Sequence, residues 1–210
     1  MKDVPKAVVF DLGKVLVDFD YGVASRKIAA QSDFGEAGVR KLLDHAPLLF
    51  RYETGLLTRK EFYDEVCREA AYRGSFEEFG AHFADIFWEI EPMIALQATL
   101  KKAGVPTYIF SNTNDLAIEH IKRKFPFFVN FNDYIYSYEH GAMKPNARLY
   151  EVVEEKTGLT GPAIVYLDDR AENVAGGVAR GWRGILHETP AKSFAALQGM
   201  GLPTPPLKSS

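Results

Sequence analysis

Ala7-Val8-Val9-Phe10-Asp11-Leu12-Gly13-Lys14-Val15-Leu16-Val17-Asp18 decides how the rest of the chain is read. A four-residue apolar run, Ala7 to Phe10, has no polar alternation and ends in an aspartate. Such a run predicts a strand buried on both faces, as in a parallel sheet. A carboxylate at its C-terminal end falls where open α/β sheets place their ligand crevice. That position suits a nucleophile or a metal ligand, although an aspartate after a strand also serves as a turn or cap residue. Gly13 follows two residues later, then a second apolar run and Asp18.

Working outward, similar apolar runs stand at 107–110, 134–136 and 163–167, with a shorter one at 183–186. Helical patterns lie between and after them, at Met93–Lys102, Leu116–Lys124, Ala147–Thr157, Ala171–Arg180 and Ala191–Gly199. Strand alternating with helix predicts an α/β fold, a Rossmann-like parallel sheet covered by helices on both faces. The alternation breaks once. Residues 18–91 carry no convincing strand, and a crossover between parallel strands needs only about a dozen residues or somewhat more. The signals there are helical: stretches 23–30 and 39–43, and two capping boxes, Thr58-Arg59-Lys60-Glu61 and Ser75-Phe76-Glu77-Glu78. The division expected is a core of residues 1–17 and 92–210, with an inserted all-helical domain at 18–91. The proline-rich end, 203–210, is expected to be a disordered tail.

Composition excludes several classes. The chain has 210 residues, 47% hydrophobic and 25% charged, an ordinary globular balance. A net charge of −3 gives no reason to expect a nucleic-acid or anionic-membrane partner. Lys122-Arg123-Lys124 closes a predicted helix, where cations complement the helix dipole. The single cysteine, Cys67, rules out an intramolecular disulfide and a multi-cysteine zinc site. No apolar run approaches the ~18 residues that span a bilayer, and the N-terminus lacks the apolar region of a signal peptide. A cytoplasmic protein, monomeric or homodimeric, is the expectation. His45, His82, His120, His140 and His187 have no zinc spacing and read as structural.

Three further segments carry chemistry. Ser111-Asn112-Thr113-Asn114 follows the run at 107–110. Its hydroxyl, amide and backbone N–H groups can bind an anion, or Asn114 can simply cap the next helix. Lys144 precedes Pro145, which keeps it extended and out of the helix that follows. Asp168-Asp169 ends the apolar run at 163–167, and paired hard carboxylates suit Mg²⁺. Acid, hydroxyl, lysine and paired acids therefore occur in that order, each at or just after a predicted strand end.

That order resembles the haloacid-dehalogenase-like (HAD) hydrolase superfamily over essentially the whole chain. Within it, Asp11 matches the nucleophile, Ser111 the second-motif hydroxyl, Lys144 the third-motif lysine, and Asp168 with Asp169 the acidic fourth motif. The insertion looks like the helical cap of such enzymes. Asp11-Leu12-Gly13-Lys14-Val15, Ser111-Asn112-Thr113-Asn114, Lys144-Pro145-Asn146-Ala147-Arg148-Leu149-Tyr150 and Asp168-Asp169-Arg170-Ala171-Glu172-Asn173 look most like one branch, which includes bacterial phosphatases of α-D-glucose 1-phosphate. The resemblance implies a Mg²⁺-dependent phosphomonoesterase that acts on a small phosphorylated metabolite through an aspartyl phosphate. It implies metal ligation by Asp11, the Gly13 carbonyl and Asp169, with Asp168 acting directly or through water. It implies phosphate binding by Ser111, Asn112 and Lys144. Asp18 aligns with the start of the cap hinge.

Gly13 departs from the pattern. Most phosphatases of the superfamily carry a second aspartate there, as acid for the leaving oxygen and base for the attacking water. Such help is typically worth ~10²–10⁴ in rate. Either the leaving group is good enough without it, or a cap residue supplies the proton. Glu53 is one candidate, with a solvated helix-end charge as the alternative. Tyr21, Phe50 and Tyr52 could contact substrate or simply pack helices together. Two other functions fit the scaffold: a metal-independent 2-haloacid dehalogenase, and a catalytically weak protein that binds phosphorylated metabolites.

Overall fold

The computed structural model describes residues 4–44 and 47–206. β1 (Ala7–Phe10) is the middle strand of a five-stranded parallel sheet, and all four of its residues are buried. β4 (Thr107–Ser111) and β6 (Ile164–Asp168) pair with its two edges, in parallel. β5 (Asp133–Tyr136) and β7 (Arg183–Leu186) flank these, giving the order β5-β4-β1-β6-β7. Side chains alternate between the faces of a strand. Val8 and Phe10 therefore join one core, with α6 (Glu91–Lys102), α7 (Asp115–Lys124) and α11 (Pro190–Gly199). Val9, Phe110 and Tyr166 face the other way, into a smaller core that includes Tyr150 and Val153 of α9 (Ala147–Thr157). α10 (Ala171–Ala179) links β6 to β7. Helices on both faces match the α/β class expected.

Two short strands interrupt the stretch 18–91, where none was expected. β2 (Val17–Phe19) and β3 (Phe87–Glu89) form an antiparallel ribbon with Asp18 opposite Trp88. Three residues are too few to show a period of two, so the ribbon left no signal in the sequence. It carries both passages of the chain between the sheet and the inserted helices. Those helices are α1 (Tyr21–Ala29), α2 (Gly35–Leu43), α3 (Pro47–Glu53), α4 (Arg59–Ala70) and α5 (Phe76–Ala84). They close round their own buried cluster, which includes Ile28, Val39, Leu43, Phe62, Phe79 and Phe83. Both capping boxes form, with the Thr58 and Ser75 side chains accepting from the third residue of the helix and that glutamate reaching back. Each hydroxyl cap is worth about 1 kcal/mol of helix stability.

The inserted helices are fastened to the sheet domain chiefly through α7. Arg59 bonds Asp115 at 2.7 Å and Glu119 at 2.9 Å, and the Tyr52 hydroxyl donates to Asp115. Asp85, at the end of α5, bridges Lys27 and Lys124 at 2.9 Å each. At the other end of the contact, α3 abuts the short helix α8 (Ser137–His140). Gly55 sits there at φ 76°, and a Cβ on it would run into the Tyr138 carbonyl oxygen. Only glycine permits that approach.

The C-terminal segment is anchored further than expected. Leu202 is buried and its N–H bonds the Leu197 carbonyl at 3.0 Å, while Gln198 reaches Thr204 at 2.6 Å. An apolar leucine in that polar stretch holds it down. Residues 207–210, part of the tail expected to be disordered, lie outside the described residues, as does His45. Among the described residues no helix is long and apolar enough to cross a membrane.

Candidate active site

β1, β4 and β6 are adjacent and parallel, so the residues at their C-terminal ends meet on one edge of the sheet. Asp11 follows β1, its N–H held by the Leu167 carbonyl at 2.8 Å. Asp168 ends β6, and Asp169 follows it. Carboxylate oxygens of Asp11, Asp168 and Asp169 all lie within 4.8 Å of one another. Lys144 arrives from the segment between α8 and α9, through a cis Lys144–Pro145 peptide. Four of the residues singled out in the sequence thus form one cluster.

Lys144 is fully committed. Its side chain is 1% exposed and its ammonium reaches the Phe110 carbonyl at 2.9 Å, Asp168 Oδ2 at 2.6 Å and Asp11 Oδ1 at 3.0 Å. A lysine has three protons, so three acceptors saturate it. The rings of Phe110 and Tyr166 lie beneath it, with centroids at 5.0 and 5.7 Å. The Asn112 side chain clamps its main chain, accepting from Lys144 N–H at 2.7 Å and donating to Lys144 O at 3.2 Å. The Asn112 amide therefore orients the lysine with its oxygen and one of its two N–H groups. Lys144 can meet a phosphoryl oxygen only by sharing a proton now held by Asp11 or another acceptor.

Asp168 is equally occupied. Lys144, the Tyr166 hydroxyl, Arg170 N–H at 2.8 Å and the Asn173 amide at 3.1 and 3.2 Å all donate to it. Few lone pairs are left for a direct metal bond. Burial works against its charge, but Lys144 and the hydrogen bonds outweigh that and hold its carboxyl below the usual range. Asp11 behaves oppositely. Burial pushes its carboxyl well up; Lys144 opposes this, and Asp168 and Asp169 add to it. Asp169 is also raised, by burial and then by Asp168. Three carboxylates face one ammonium, so ionising all of them leaves two uncompensated negative charges. A divalent cation fits this donor set in charge and in hardness. Asp11 and the less buried Asp169 are the carboxylates free to touch it.

The remaining residues separate by role. Ser111 is buried at the end of β4, and its hydroxyl makes one long contact, 3.3 Å to the Asn112 carbonyl. Asn114 caps α7 by accepting from Ala117 N–H at 3.0 Å. Asp18 pairs with Lys14 and lies in the β2–β3 ribbon. A Cβ built on Gly13 would sit 2.9 Å from Phe19 Cε1, so the Phe19 ring would have to shift to admit a side chain at 13. Phe19 packs edge-on against Tyr21 at 5.6 Å. Tyr52 stacks on Phe62 at 4.4 Å and is a packing residue, whereas Phe50 is exposed.

Tyr166, Asn173 and Phe19 were not expected at the site. Tyr166 was legible in principle, because strand residues two apart share a face with Asp168. Among the described residues the histidines build no metal cluster; His187 instead bonds Ser193 at 2.8 Å. A cavity of about 290 Å³ lies between α5 and α7 beside Arg59, His120 and Arg123, away from the carboxylates. Chemistry, rather than volume, locates the site.

A helix-covered parallel sheet with an acid cluster and buried lysine at its C-terminal edge defines a hydrolase of the α/β type. Residues 5–181 match the haloacid dehalogenase-like hydrolase family, and the chain belongs to it. A HAD family enzyme from Bacteroides thetaiotaomicron, solved in complex with magnesium and inorganic phosphate, is 21% identical with a TM-score of 0.77, covering 86% of this chain and 93% of that one. A predicted HAD-like family hydrolase from Porphyromonas gingivalis is 21% identical with a TM-score of 0.79, covering 93% and 98%. L-2-haloacid dehalogenase from Xanthobacter autotrophicus is 18% identical with a TM-score of 0.61, covering 92% and 88%. At these identities the likeness is one of fold.

Proposed function

We propose that the protein is a Mg²⁺-dependent phosphomonoesterase acting on a small phosphorylated metabolite, such as a sugar phosphate. The observation that carries this reading is the charge balance at the strand ends, three carboxylates against one ammonium, with Asp169 the least buried of the three. Asp11, the Gly13 carbonyl and Asp169 would hold the metal, with Asp168 acting through water. Bound there, Mg²⁺ would supply charge neutralisation and polarise the phosphoryl oxygens. The magnesium and phosphate complex of the similar B. thetaiotaomicron enzyme supports the assignment.

In the first step a carboxylate oxygen of Asp11 attacks phosphorus, an Asp11 O–P bond forms, and the ester P–O bond breaks. Lys144 offsets the repulsion between nucleophile and phosphoryl group. Ser111 and the backbone at Asn112 receive phosphoryl oxygens. Water then attacks phosphorus and releases Asp11 and inorganic phosphate. Helices α1–α5, within 18–91, act as a cap that excludes bulk water, over a core of 1–17 and 92–210.

The test is a panel of phosphorylated metabolites with and without Mg²⁺, including glucose 1-phosphate and glucose 6-phosphate. Phosphate release that chelator abolishes and Mg²⁺ restores is expected. The similarity in fold to a dehalogenase makes 2-chloropropionate the proper counter-substrate. Halide release from it after chelation, without phosphatase activity, would overturn the proposal. A carboxylate substrate would have to enter beside three carboxylates, which disfavours that outcome.

A further inference from the structure

We propose that Glu53, at the C-terminal end of α3, donates the proton to the leaving oxygen and takes the proton of the attacking water, the work Gly13 cannot do. This rests on the phosphomonoesterase reading. The core offers no side chain at position 13, and the edge of the Phe19 ring lies 2.9 Å from where a Cβ there would sit. Phe19 leads to Tyr21, and Tyr21 feels the Glu53 charge. On its other side Glu53 meets Asn114, at the end of the Ser111–Asn114 loop. Ser137 bonds both the Glu53 carbonyl and Thr113, so the end of α3 stands beside the loop that follows β4.

Its backbone is pinned there. Ser137 Oγ donates to the Glu53 carbonyl at 2.6 Å and accepts from Thr113 N–H at 2.9 Å, tying α3 to the same loop. The close contact of Gly55 with Tyr138 fixes the turn after it. A proton donor must be held in place while the substrate reacts, and these contacts do that without using the carboxyl.

The surroundings also set its protonation. Burial pushes the Glu53 carboxyl up to about 7, with the Asn114 hydrogen bond pulling the other way. Among the described residues no cation pairs with it. Arg59 on α4 is taken by Asp115 and Glu119, and Arg51 on α3 itself by Glu65. The nearby elements carry Tyr21 on α1, Asp44 after α2, Asp115 on α7 and Tyr138, Glu139 and His140 on α8, of which only His140 is a base. A carboxyl poised near neutrality can give a proton and take one back.

The steps balance. As Asp11 O–P forms and the ester P–O bond breaks, the Glu53 proton moves to the departing alkoxide and leaves a carboxylate. That carboxylate then removes a proton from the water that attacks phosphorus, and Glu53 is protonated again when phosphate leaves.

The experiment compares wild type, Glu53→Gln and Glu53→Asp on glucose 6-phosphate, whose alkoxide needs a proton, and on acetyl phosphate, whose carboxylate does not. Circular dichroism and thermal melts check that the variants fold. For phosphorylation of Asp11, read as the pre-steady-state burst of leaving group, Glu53→Gln should lose ~10²–10⁴-fold on glucose 6-phosphate. The loss on acetyl phosphate should be at least tenfold smaller. Wild type should lose kcat/KM on glucose 6-phosphate above about pH 7, where Glu53 ionises. Glu53→Gln should lack that limb and Glu53→Asp should recover it. Equal losses on both substrates, or an unchanged pH limb in a folded Glu53→Gln, would overturn the proposal. Wild type inactive on every ester with Mg²⁺ would instead overturn the phosphatase reading beneath it.

Discussion

The strand-end cluster and the helical face opposite it are built on opposite plans. At the strand ends two charges are each held by several partners: Lys144 by three acceptors and the Asn112 clamp, Asp168 by four donor groups. Towards the inserted helices, Phe19 leads to the Tyr21 ring, and among the described residues Glu53 has no ion pair. The first region is preorganised electrostatics, whose cost is met when the protein folds. The second contributes apolar shape and one titratable group. On the proposed reading, the strand ends carry the attack on phosphorus and Glu53 of the inserted helices carries the proton.

Substitutions can break this contrast. The largest stability effect is expected from Lys144→Met, which strands Asp11 and Asp168 without their cation. Removing one partner of a buried ion pair costs about 3–5 kcal/mol. At roughly 2–4 °C per kcal/mol for a chain of this size, the midpoint should fall by about 6–20 °C in a thermal melt. Adding Asp168→Asn should return part of that loss. A Lys144→Met midpoint equal to wild type would show that the cluster is not held by the lysine.

Gly13→Asp sharpens the contrast from the other side. The new side chain meets Phe19 at 2.9 Å, so we expect lower turnover on glucose 6-phosphate than wild type. Gly13→Asp with Phe19→Ala should recover activity relative to Gly13→Asp alone, because the ring that crowds the acid is gone. The smallest effect is in the melts of Glu53→Gln. Glu53 has a folded pKa raised from 4.5 to about 7. Between those values the unfolded chain ionises first, so this residue lowers stability as pH rises from 4.5 to 7. Glu53→Gln should therefore raise the melting midpoint, relative to wild type, more at pH 8 than at pH 4.5.

The sheet was legible because its strands are short, wholly apolar and punctuated. The runs at 7–10 and 183–186 coincide with β1 and β7 to the residue. Asp11, Asp168 and Asp169 could be named because chemistry at a strand end breaks an apolar pattern, whereas Lys144, beyond α8 and not at a strand end, is marked by the proline after it. The β2–β3 ribbon could not be read, since three residues carry no period, and α3 lacks both a capping box and a long apolar stripe. Phe19 escaped for a different reason. Its ring edge lies beside Gly13, and such a contact between a hinge ring and a missing side chain exists only in three dimensions. The resemblance implies a phosphate role for Asn112, but its clamp on the Lys144 main chain could not be read from the sequence.

The central claim is that Asp11 attacks phosphorus. A single turnover of glucose 6-phosphate in H₂¹⁸O with Mg²⁺ and excess enzyme, followed by mass spectrometry of phosphate and of the Asp11 peptide, tests it directly. Water that attacks the phosphorus of an aspartyl phosphate puts the label in phosphate and none in Asp11. Asp11→Asn should then lose turnover by roughly 10⁴-fold or more. Label in the Asp11 carboxylate, which requires attack on its carbonyl carbon, would contradict the account, as would Asp11→Asn turning over at the wild-type rate.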